Sequence, residues 1–533
     1  MSEVYSYHTF VLPFIWNVRG ISRKLIEEFP KCFDQNPKWI RTDLEEEHKI
    51  NTNSDLMTDD DAYALYKEYQ YFNPAARRAI YGFGSGIVKN YCFDPSMVRN
   101  KGKYVIEKGD VKYTLFINGI RLKIYNTGVA LFILECENPK GGEYAAQNNI
   151  DAVKNINDYG RRIALPFIPH KKGGYYSICA DRLTLDLGNG IRFVSDNIEF
   201  AKSIECSDDI YNKISLTHMC DFIKKLLEFG SDYKFTTNPK RANPKENVFY
   251  IYPALDDRMF VLCVVYSNDD AAKYSAVKGD KYAYEVDESV SKDLYELIFV
   301  DPANECTCQD KRSREQLLEE HVYRRWLPWG TVYGIANQSL ICVTNHSYTV
   351  ESVLTQYAQM AYLGLVQRAS IINFQREVTT LSQSIEKQGR SMKTATITRV
   401  LDLQERFVAF QNQLSFTEVS PQEQAIDVYN RLIASFYIEK ERETLGAQLE
   451  CLYSAANTTL DFSLNKGGSI IAVVAIILAA VSFLADLGAL IAYYIGKNPE
   501  DLPFDIYFTV LGVTIAFTVI ISLCFMYFYR RKR

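Results

Sequence analysis

Residues 469–495 read SIIAVVAIILAAVSFLADLGALIAYYI, and residues 496–504, GKNPEDLPF, follow them directly. The first stretch contains a single charged residue, Asp486. As a helix it would be about 40 Å long, which exceeds the ~30 Å hydrocarbon core of a bilayer. The stretch therefore predicts a membrane-spanning helix, and every other part of the chain has to be arranged around it.

A second apolar run, residues 504–529, returns across the bilayer. Tyr527 and Tyr529 lie near one end of it, where aromatic side chains meet the membrane interface. Basic residues collect on the cytoplasmic side, and here they are Lys466 before the first run and the tail 530–533. Residues 467–533 thus predict a transmembrane hairpin with an external turn and with both chain termini in the cytoplasm.

Residues 346–466 are predicted to form a helical stalk. One proline, Pro421, interrupts residues 350–465, and the apolar residues recur three and four apart. The faces that follow this spacing are Leu354, Ala358, Ala361, Leu365, Ala369, Ile372; Val400, Leu403, Phe407, Phe410, Leu414; and Leu445, Leu449, Leu452, Ala456. Ser420, Pro421 and Glu423 read as a capping box, so a single helix is expected from about Pro421 to Ile495.

Residues 1–345, which we call the head, mix strand and helix patterns. The run Val111–Glu137 is divided by Asn118-Gly119 and by residues 126–128, which predicts a three-stranded meander. A second hairpin is expected over 248–266 with Asp256-Asp257 at its turn. Helices are expected within 60–80, 145–162 and 210–229. The fold class is therefore an α+β cytoplasmic domain, a helical stalk and two C-terminal transmembrane helices.

Composition and motifs argue against an enzyme and against a nucleic-acid coat. The chain has 60 Lys+Arg against 65 Asp+Glu, so no direct nucleic-acid binding is expected. The six histidines are isolated from one another. The sequence also has no nucleophile elbow and no phosphate-binding P-loop. No catalytic residues, metal ligands or covalent cofactor are assigned.

Three arginine pairs are the candidate ligand-binding residues of the head. Guanidinium groups hold phosphate through paired hydrogen bonds, and indole rings offer flat surfaces on which a base can stack. The first pair precedes a glycine-rich turn, residues 82–86, and the simpler reading of that turn is a surface loop after a helix. The candidates are Arg77, Arg78, Arg161, Arg162, Arg324, Arg325, Trp326 and Trp329.

The first predicted span carries a stripe of small and polar residues. Its members are Ala472, Ala475, Ala479, Ser482, Asp486, Ala489 and Tyr493. An intramembrane carboxylate costs ~2.5 to 3.5 kcal/mol unless it faces water or a partner. Two spans cannot enclose an aqueous path, so a pore requires a homo-oligomer lined by this stripe. The alternative is a packing stripe in which a protonated Asp486 bonds to a neighbouring helix.

The overall plan resembles the CorA-type divalent cation channels, which end the first span in Tyr-Gly-Met-Asn and follow it with Met-Pro-Glu. Here the matching residues are Ile495-Gly496-Lys497-Asn498 and then Asp501-Leu502-Pro503. The resemblance implies a pentamer in the bilayer with Gly496, Lys497 and Asn498 at the pore mouth and a divalent cation as cargo. Lys497 replaces the methionine, and its ammonium group would repel Mg²⁺.

Within that group, the large head resembles the CorA-like membrane effectors of type III CRISPR systems. The sheet meander and the helix that ends in Asn157–Arg162 carry this likeness. It implies a channel of a bacterial inner membrane that acts in antiviral defence. A nucleotide-type messenger, either an S-adenosylmethionine–AMP conjugate or a cyclic oligoadenylate, would gate it. The alternatives are a constitutive Mg²⁺-type transporter and a non-conducting, membrane-tethered scaffold.

Overall fold

The computed structural model describes residues 4–16, 28–43, 59–98, 102–163, 178–196, 219, 221–238, 240–388 and 392–496, together with the single positions 508 and 512. Side chains at 59–62 and at most positions of 461–495 are outside the description. The chain divides into two compact units. The first comprises Met1–Thr380 with Leu403–Gln448, and the second comprises Leu381–Asp402 with Leu449–Arg533.

The first unit is built on a mixed β-sheet. Its strands are β1 (Val4–Trp16), β2 (Trp39–Arg41), β3 (Val88–Phe93), β4 (Lys103–Lys108), β5 (Val111–Tyr125), β6 (Val129–Pro139), β7 (Arg182–Asp186), β8 (Arg192–Val194), β9 (Lys234–Thr236), β10 (Val248–Pro253), β11 (Phe260–Tyr266), β14 (Val322–Tyr323), β15 (Val332–Ala336) and β16 (Ser339–Thr344). A separate ribbon pairs β12 (Val277–Lys278) with β13 (Lys281–Tyr282).

The order of the sheet is β14-β15-β16-β11-β1-β6-β5-β4-β7-β8. Strand β10 also pairs with β1 and β9, and β2 joins β5 through β3. Among the described strands, β11–β16 and β9–β10 are parallel, and every other pair is antiparallel. The first unit is therefore a mixed α+β structure, which confirms that part of the predicted fold class.

The helices of the chain follow in sequence order. They are α1 (Lys31–Asp34), α2 (Asp59–Gln70), α3 (Pro74–Tyr81), α4 (Pro95–Val98), α5 (Ile150–Arg161), α6 (Asp221–Glu228), α7 (Asn268–Ser275), α8 (Ala283–Val286), α9 (Glu288–Phe299), α10 (Lys311–His321), α11 (Ser347–Ser352), α12 (Ala358–Gln388), α13 (Thr394–Leu414), α14 (Glu423–Ser435) and α15 (Ile438–Ile495). A π-helical turn, Val353–Tyr357, leads into α12.

Side chains alternate between the two faces of the sheet along each strand. Different helices cover the two faces. On one face Phe10 meets α5, where a Cβ added at Gly160 would lie 2.8 Å from the Phe10 ring. On the other face Tyr252 lies under α12, with the Arg376 guanidinium 4.2 Å from its ring centroid. Thr127 at the β5–β6 turn also bonds to Ser370 of α12, at 2.7 Å. The central strands are covered on both sides.

The predicted turn at Asn118-Gly119 is wrong. Strand β5 continues through these residues, and its register with β6 shifts between Ile117 and Gly119, so the dipeptide forms a bulge. A meander does form, from β4, β5 and β6. Its first turn lies after Lys108, and its second, at 126–128, lies where the sequence predicts it.

The predicted hairpin over 248–266 is also wrong. Strands β10 and β11 do not pair with each other, because both run antiparallel to β1 along the same edge. Phe14 pairs with Pro253, and Val11 pairs with Phe260. Residues 254–259, with Asp256 and Asp257 among them, therefore interrupt one strand edge without reversing the chain.

The predicted helices of the head are present with shifted ends. The helix expected over 60–80 is divided into α2 and α3, because Pro74 stands at the first helical position and disfavours helical geometry in the residue before it. Helix α5 starts at Ile150, where the Asn149 side chain accepts a hydrogen bond from the Ala152 amide. Helix α6 lies within the range 210–229, of which residues 210–218 and 220 are outside the description.

The single helix expected from Pro421 to Ile495 is interrupted. Ser420 donates its hydroxyl to the Tyr71 carbonyl at 2.6 Å, and α14 begins at Glu423 without a side-chain cap, so the capping-box prediction is wrong. Helix α14 ends at Ser435, and Tyr437 takes a left-handed φ of 57° before α15 begins at Ile438. At this break Phe436 is buried against Phe260, with ring centroids 5.7 Å apart.

Most residues of the predicted apolar faces of the stalk are buried, whereas Leu354, Ile372 and Leu452 are only partly buried. Phe374 of α12 meets Phe407 and Phe410 of α13, with ring centroids 5.8 and 5.6 Å away. Leu445 and Leu449 of α15 are buried as well. Within the described residues, no helix is both long enough and apolar enough to cross a bilayer. The second predicted span, 504–529, lies almost wholly outside the described residues, and the predicted hairpin stays a prediction.

Candidate functional site

Arg161 and Arg162 end helix α5 and are held by protein acceptors. Arg161 is only 2 % exposed and donates to the Gln338 side chain at 2.6 Å and to the Val300 carbonyl at 2.9 Å. Arg162 donates to Asp158 at 2.9 Å. Burial lowers the pKa of Arg161 to about 10. The guanidinium group of Arg161 is thus part of the packed interior and does not face solvent, where a phosphate would approach.

Arg77 and Arg78 lie on α3, before the glycine-rich turn. The Arg77 guanidinium stacks 4.2 Å from the centroid of the Tyr69 ring, and Arg78 is exposed. Gly82 and Gly84 take φ values of 90° and 65°. A carboxylate oxygen of Asp43 lies 3.1 Å from the point where Gly82 would carry a Cβ, so the turn has an acidic neighbour.

Arg324 and Arg325 are paired with carboxylates. Arg324 lies 3.3 Å from Glu285, and Arg325 bridges Asp427 at 2.9 Å and Glu423 at 3.2 Å. Trp326 and Trp329 meet edge to face with ring centroids 6.3 Å apart, and Trp329 is 69 % exposed. An indole surface is therefore available at this place, but its neighbouring guanidinium groups already have partners.

The structure does not bring the three arginine pairs together. Among the described contacts, the Arg77, Arg161 and Arg325 side chains have no partner in common. A single pocket made of all eight predicted residues is not formed within one chain.

A polar cleft of about 720 Å³ in the first unit is the stronger candidate for a ligand site. It opens between α5, α7, α9 and residues 304–309. The residues that line it are Asn149, Ile150, Asp151, Lys154, Asp270, Lys273, Ser289, Lys292, Asp293, Glu296, Asn304, Cys306 and Gln309. Its volume is in the range of ordinary small-molecule sites.

Lys154 forms the floor of this cleft. Its side chain is 2 % exposed, and its ammonium group bonds to Glu296 at 2.9 Å, to Asp151 at 3.2 Å and to Asp293. Burial acts to lower the pKa of Lys154, but the Asp293 and Glu296 carboxylates outweigh it and raise the pKa. Lys154 is therefore a buried cation held by three acids.

Asp293 links the floor to the rim. It accepts hydrogen bonds from Lys154, from Lys273 and from the Tyr274 hydroxyl, the last at 2.7 Å. Burial acts to raise the pKa of Asp293, and these donors together lower it. The rim also holds Lys273 and Lys292, whose side chains are 43 % and 42 % exposed. The cleft can offer ammonium groups to an anionic group and carboxylates to amino or hydroxyl groups of the same ligand.

The predicted pore residues are described in part. Ser482, Asp486 and Tyr493 are exposed on α15. Gly496 follows the last helical residue with a φ of 69°, the left-handed geometry that glycine favours at a helix end. Lys497 and Asn498 lie outside the described residues, so their place at a pore mouth stays a prediction.

No protein-family model matches the chain, and no curated protein matches it. Among solved structures, the chain is similar to the CorA magnesium transporter from Methanocaldococcus jannaschii, at 13% sequence identity and a TM-score of 0.19. The match covers 52% of this chain and 92% of the transporter chain. A TM-score this low does not establish a shared fold.

Sequence reasoning missed the cleft because its residues are far apart in the chain. Lys154 and Asp293 are separated by 139 positions and come together only through the packing of α5 against α9. One local signal was present. Lys154 lies in the buried face of an amphipathic helix, beside Val153, and a buried lysine requires carboxylate partners.

Proposed function

We propose that this chain is a subunit of an oligomeric, CorA-like membrane channel whose head binds a regulatory ligand. The observation that carries the proposal is the extent of α15, which runs from Ile438 to Ile495 and so includes the whole apolar run 469–495. The second apolar run and the Gly496–Asn498 signature support the same reading. In the assembled channel, the first spans line the pore and Asp486 supplies a ring of carboxylates.

Single-channel recording in planar bilayers tests the pore. The D486N variant is expected to show lower conductance and weaker selectivity for cations over anions, because the carboxylate ring is removed. E450Q is the matched control, since Glu450 is an exposed acid of the same helix below the apolar run. Unchanged conductance and selectivity in D486N would remove Asp486 from the pore. Wild-type protein that conducts nothing would favour the tethered scaffold.

We further propose that the cleft around Lys154 receives a nucleotide-type messenger. Three ammonium groups and four carboxylates line it, and its volume of about 720 Å³ suits a molecule of nucleotide size. The two rim lysines, which pair with Asp293 and Glu288, would exchange these partners for the phosphate of the ligand. Ligand binding gates the channel if the open and closed states differ in affinity by a few kcal/mol. The head would then be the sensor and α15 the element that carries its response to the pore.

Titration of the purified full chain tests the messenger. Cyclic oligoadenylates and the S-adenosylmethionine–AMP conjugate are the probes, followed by calorimetry and by channel current. The double variant Lys273→Ala, Lys292→Ala is expected to weaken binding, whereas Lys311→Ala, which lies outside the cleft lining and pairs with Glu315, should not. Absence of binding across the whole panel would contradict the messenger. Ligand-independent Mg²⁺ flux would favour the constitutive transporter.

The role in type III CRISPR antiviral defence is a proposal supported by the sequence resemblance alone. The genomic neighbourhood tests it most directly. Adjacent CRISPR effector genes and nucleotide-degrading genes are expected, and a neighbourhood of magnesium-regulated genes would argue for a transporter instead.

A further inference from the structure

The interruption between β10 and β11 carries two adjacent aspartates at the edge of the sheet. The Ala254 amide bonds to the Pro13 carbonyl at 2.8 Å, and the Met259 amide bonds to the Arg161 carbonyl at 2.8 Å. Both ends of the six-residue segment 254–259 are thus fixed, one to β1 and the other to the end of α5. Asp256 and Asp257 are held between these anchors.

The two carboxylates have unequal partners. Asp256 accepts two bonds from Arg258, at 2.7 and 3.0 Å, and one from the Asp257 amide at 2.7 Å. Asp257 lies 3.7 Å from the Nε atom of Arg258, which also bonds to Asp256, so the two carboxylates share one cation. The Oδ2 atom of Asp257 is buried and meets no donor among the described residues. An ionised Asp257 would therefore keep a carboxylate oxygen both buried and unpaired, which is costly.

Protonation of Asp257 removes the cost of a buried, unpaired carboxylate oxygen, because the O–H group of the neutral acid can donate to Asp256. Burial, together with the hydrogen bond and the negative charge of Asp256, raises the pKa of Asp257 to about 7. The pKa of Asp256 is lowered, since its bonds to Asp257 and Arg258 outweigh the effect of burial. One proton is thus shared by the pair, as is usual for two carboxylates in contact.

Within the described part of the chain, charged and titratable groups of several elements surround this pair. Arg258 belongs to the same segment as the pair. The other groups are Arg161, Arg162 and Asp158 at the end of α5, Cys179 in the loop before β7, and Arg368 on α12. Gln338, in the β15–β16 turn, connects Asp256 to Arg161, with bonds of 3.4 and 2.6 Å.

Arg368 connects the pair to the break between α14 and α15. Its guanidinium donates to the Asn337 carbonyl at 3.3 Å, and its Cζ atom lies 6.0 Å from the centroid of the Phe436 ring. Gln338, which follows Asn337 in the chain, donates to Asp256 at 3.4 Å, so one turn contacts both Arg368 and the pair. Burial lowers the pKa of Arg368, and the charge of Asp256 acts against this shift. Phe436 and Tyr437 form the break itself, so a change of charge at the pair acts on a cation that packs directly on it.

We propose that Asp256 and Asp257 form a proton-operated switch that controls the α14–α15 break through Arg368. With the shared proton in place, Asp256 carries the single negative charge of the pair. Loss of the proton leaves two carboxylates in contact, which repel each other and compete for Arg258. Asp256 and Arg368 then reorganise, and Phe436 loses the cation that covers it. The inference does not depend on ion conduction.

Hydrogen exchange of the full-length protein in detergent tests the switch. After correction for intrinsic exchange rates, amides of residues 432–441 should be about tenfold less protected at pH 8 than at pH 6, with a midpoint near pH 7. D257N, which keeps the shape and cannot ionise, should show the same protection at both pH values. D110N, at an exposed turn aspartate, should behave as wild type.

The R368Q variant tests whether Arg368 transmits the change of charge to the break. The aspartate pair should still titrate in R368Q, so the free energy of unfolding should still depend on pH around pH 7. The hydrogen-exchange protection of residues 432–441 should no longer depend on pH. The proposal is overturned if wild type shows no pH dependence there, or if D257N or R368Q keeps the wild-type dependence. If D257N does not fold, D256N removes the same pair and must likewise abolish the transition.

Discussion

Individual buried polar residues of the first unit are joined into chains of hydrogen bonds. His8, on β1, bonds to the Ser6 hydroxyl at 2.9 Å and to the Asn157 side chain of α5 at 2.7 Å. Asn138 continues the chain, donating to Ser6 at 3.1 Å. Burial lowers the pKa of His8 to about 4. A neutral imidazole is therefore built into the contact between the sheet and the helix.

The first prediction concerns the pH dependence that His8 produces. The unfolded chain takes up a proton on His8 near pH 6.5 and the folded chain near pH 4, so this stabilisation is complete above pH 6.5 and is lost as the pH falls towards 4. The full difference is about 3 kcal/mol. Urea unfolding between pH 4.5 and 7.5 should show it, and His8→Gln should flatten the slope. An unchanged slope would mean that His8 is not the group responsible.

Asp257 acts in the opposite direction within the same pH range. Its folded pKa, about 7, is above its ordinary value of 3.8, so its stabilisation is lost as the pH rises towards 7. The two contributions partly cancel in the wild type. Only the difference between wild type and each variant separates them.

The second prediction concerns Gly334, in β15. A Cβ added there would overlap Ile298 of α9 and lie 2.6 Å from its Cδ1 atom. Gly334→Ala should lower the free energy of unfolding by about 1–3 kcal/mol. Gly446→Ala in α15 is the control, because its Cβ would meet only a ring atom 3.9 Å away and alanine favours the helix. Equal effects of the two substitutions would contradict the packing described here.

At the scale of elements, the break between α14 and α15 is the clearest departure from the sequence pattern. Tyr437 takes a left-handed φ of 57° and is 62 % exposed, so its side chain contributes little packing. Tyr437→Gly should raise the free energy of unfolding by up to about 1 kcal/mol, since glycine adopts this geometry without strain. Chemical denaturation of the full chain measures it.

Ala434→Gly is the control for Tyr437→Gly, because it places a glycine inside a regular helix. Ala434 is exposed within α14, and glycine there should cost about 1 kcal/mol. If a single helix ran through both positions, both glycine substitutions would destabilise the protein. Opposite signs are expected instead.

Local sequence patterns predicted most elements but not their connections. Asn118-Gly119 is compatible with a turn and with a bulge, and only the pairing of β5 with β6 selects the bulge. Asp256-Asp257 likewise reads as a hairpin turn, yet β1 is long enough to pair with both β10 and β11 on one edge. Both choices depend on which strand lies alongside, and a local pattern does not contain that information.

At the scale of the whole molecule, the predicted hairpin fixes which side of the membrane each segment occupies. Asn498→Cys should react with a membrane-impermeant maleimide added to intact cells, because the turn between the two spans is predicted to be external. Glu418→Cys, at an exposed position of the first unit, should react only after the membrane is permeabilised. Labelling of both or of neither in intact cells would contradict the predicted orientation.

Features that depend on the composition of one continuous segment can be predicted from the amino-acid sequence. These are the apolar runs at 469–495 and 504–529, the helical stalk and the α+β character of the head. Which distant residues meet depends on how the elements pack. This packing buried Arg161 inside the protein and assembled the cleft around Lys154 from three helices. It also placed Arg368 over the ring of Phe436. Burial and electrostatic pairing act between residues that are neighbours in space, and spacing along the chain does not reveal those neighbours.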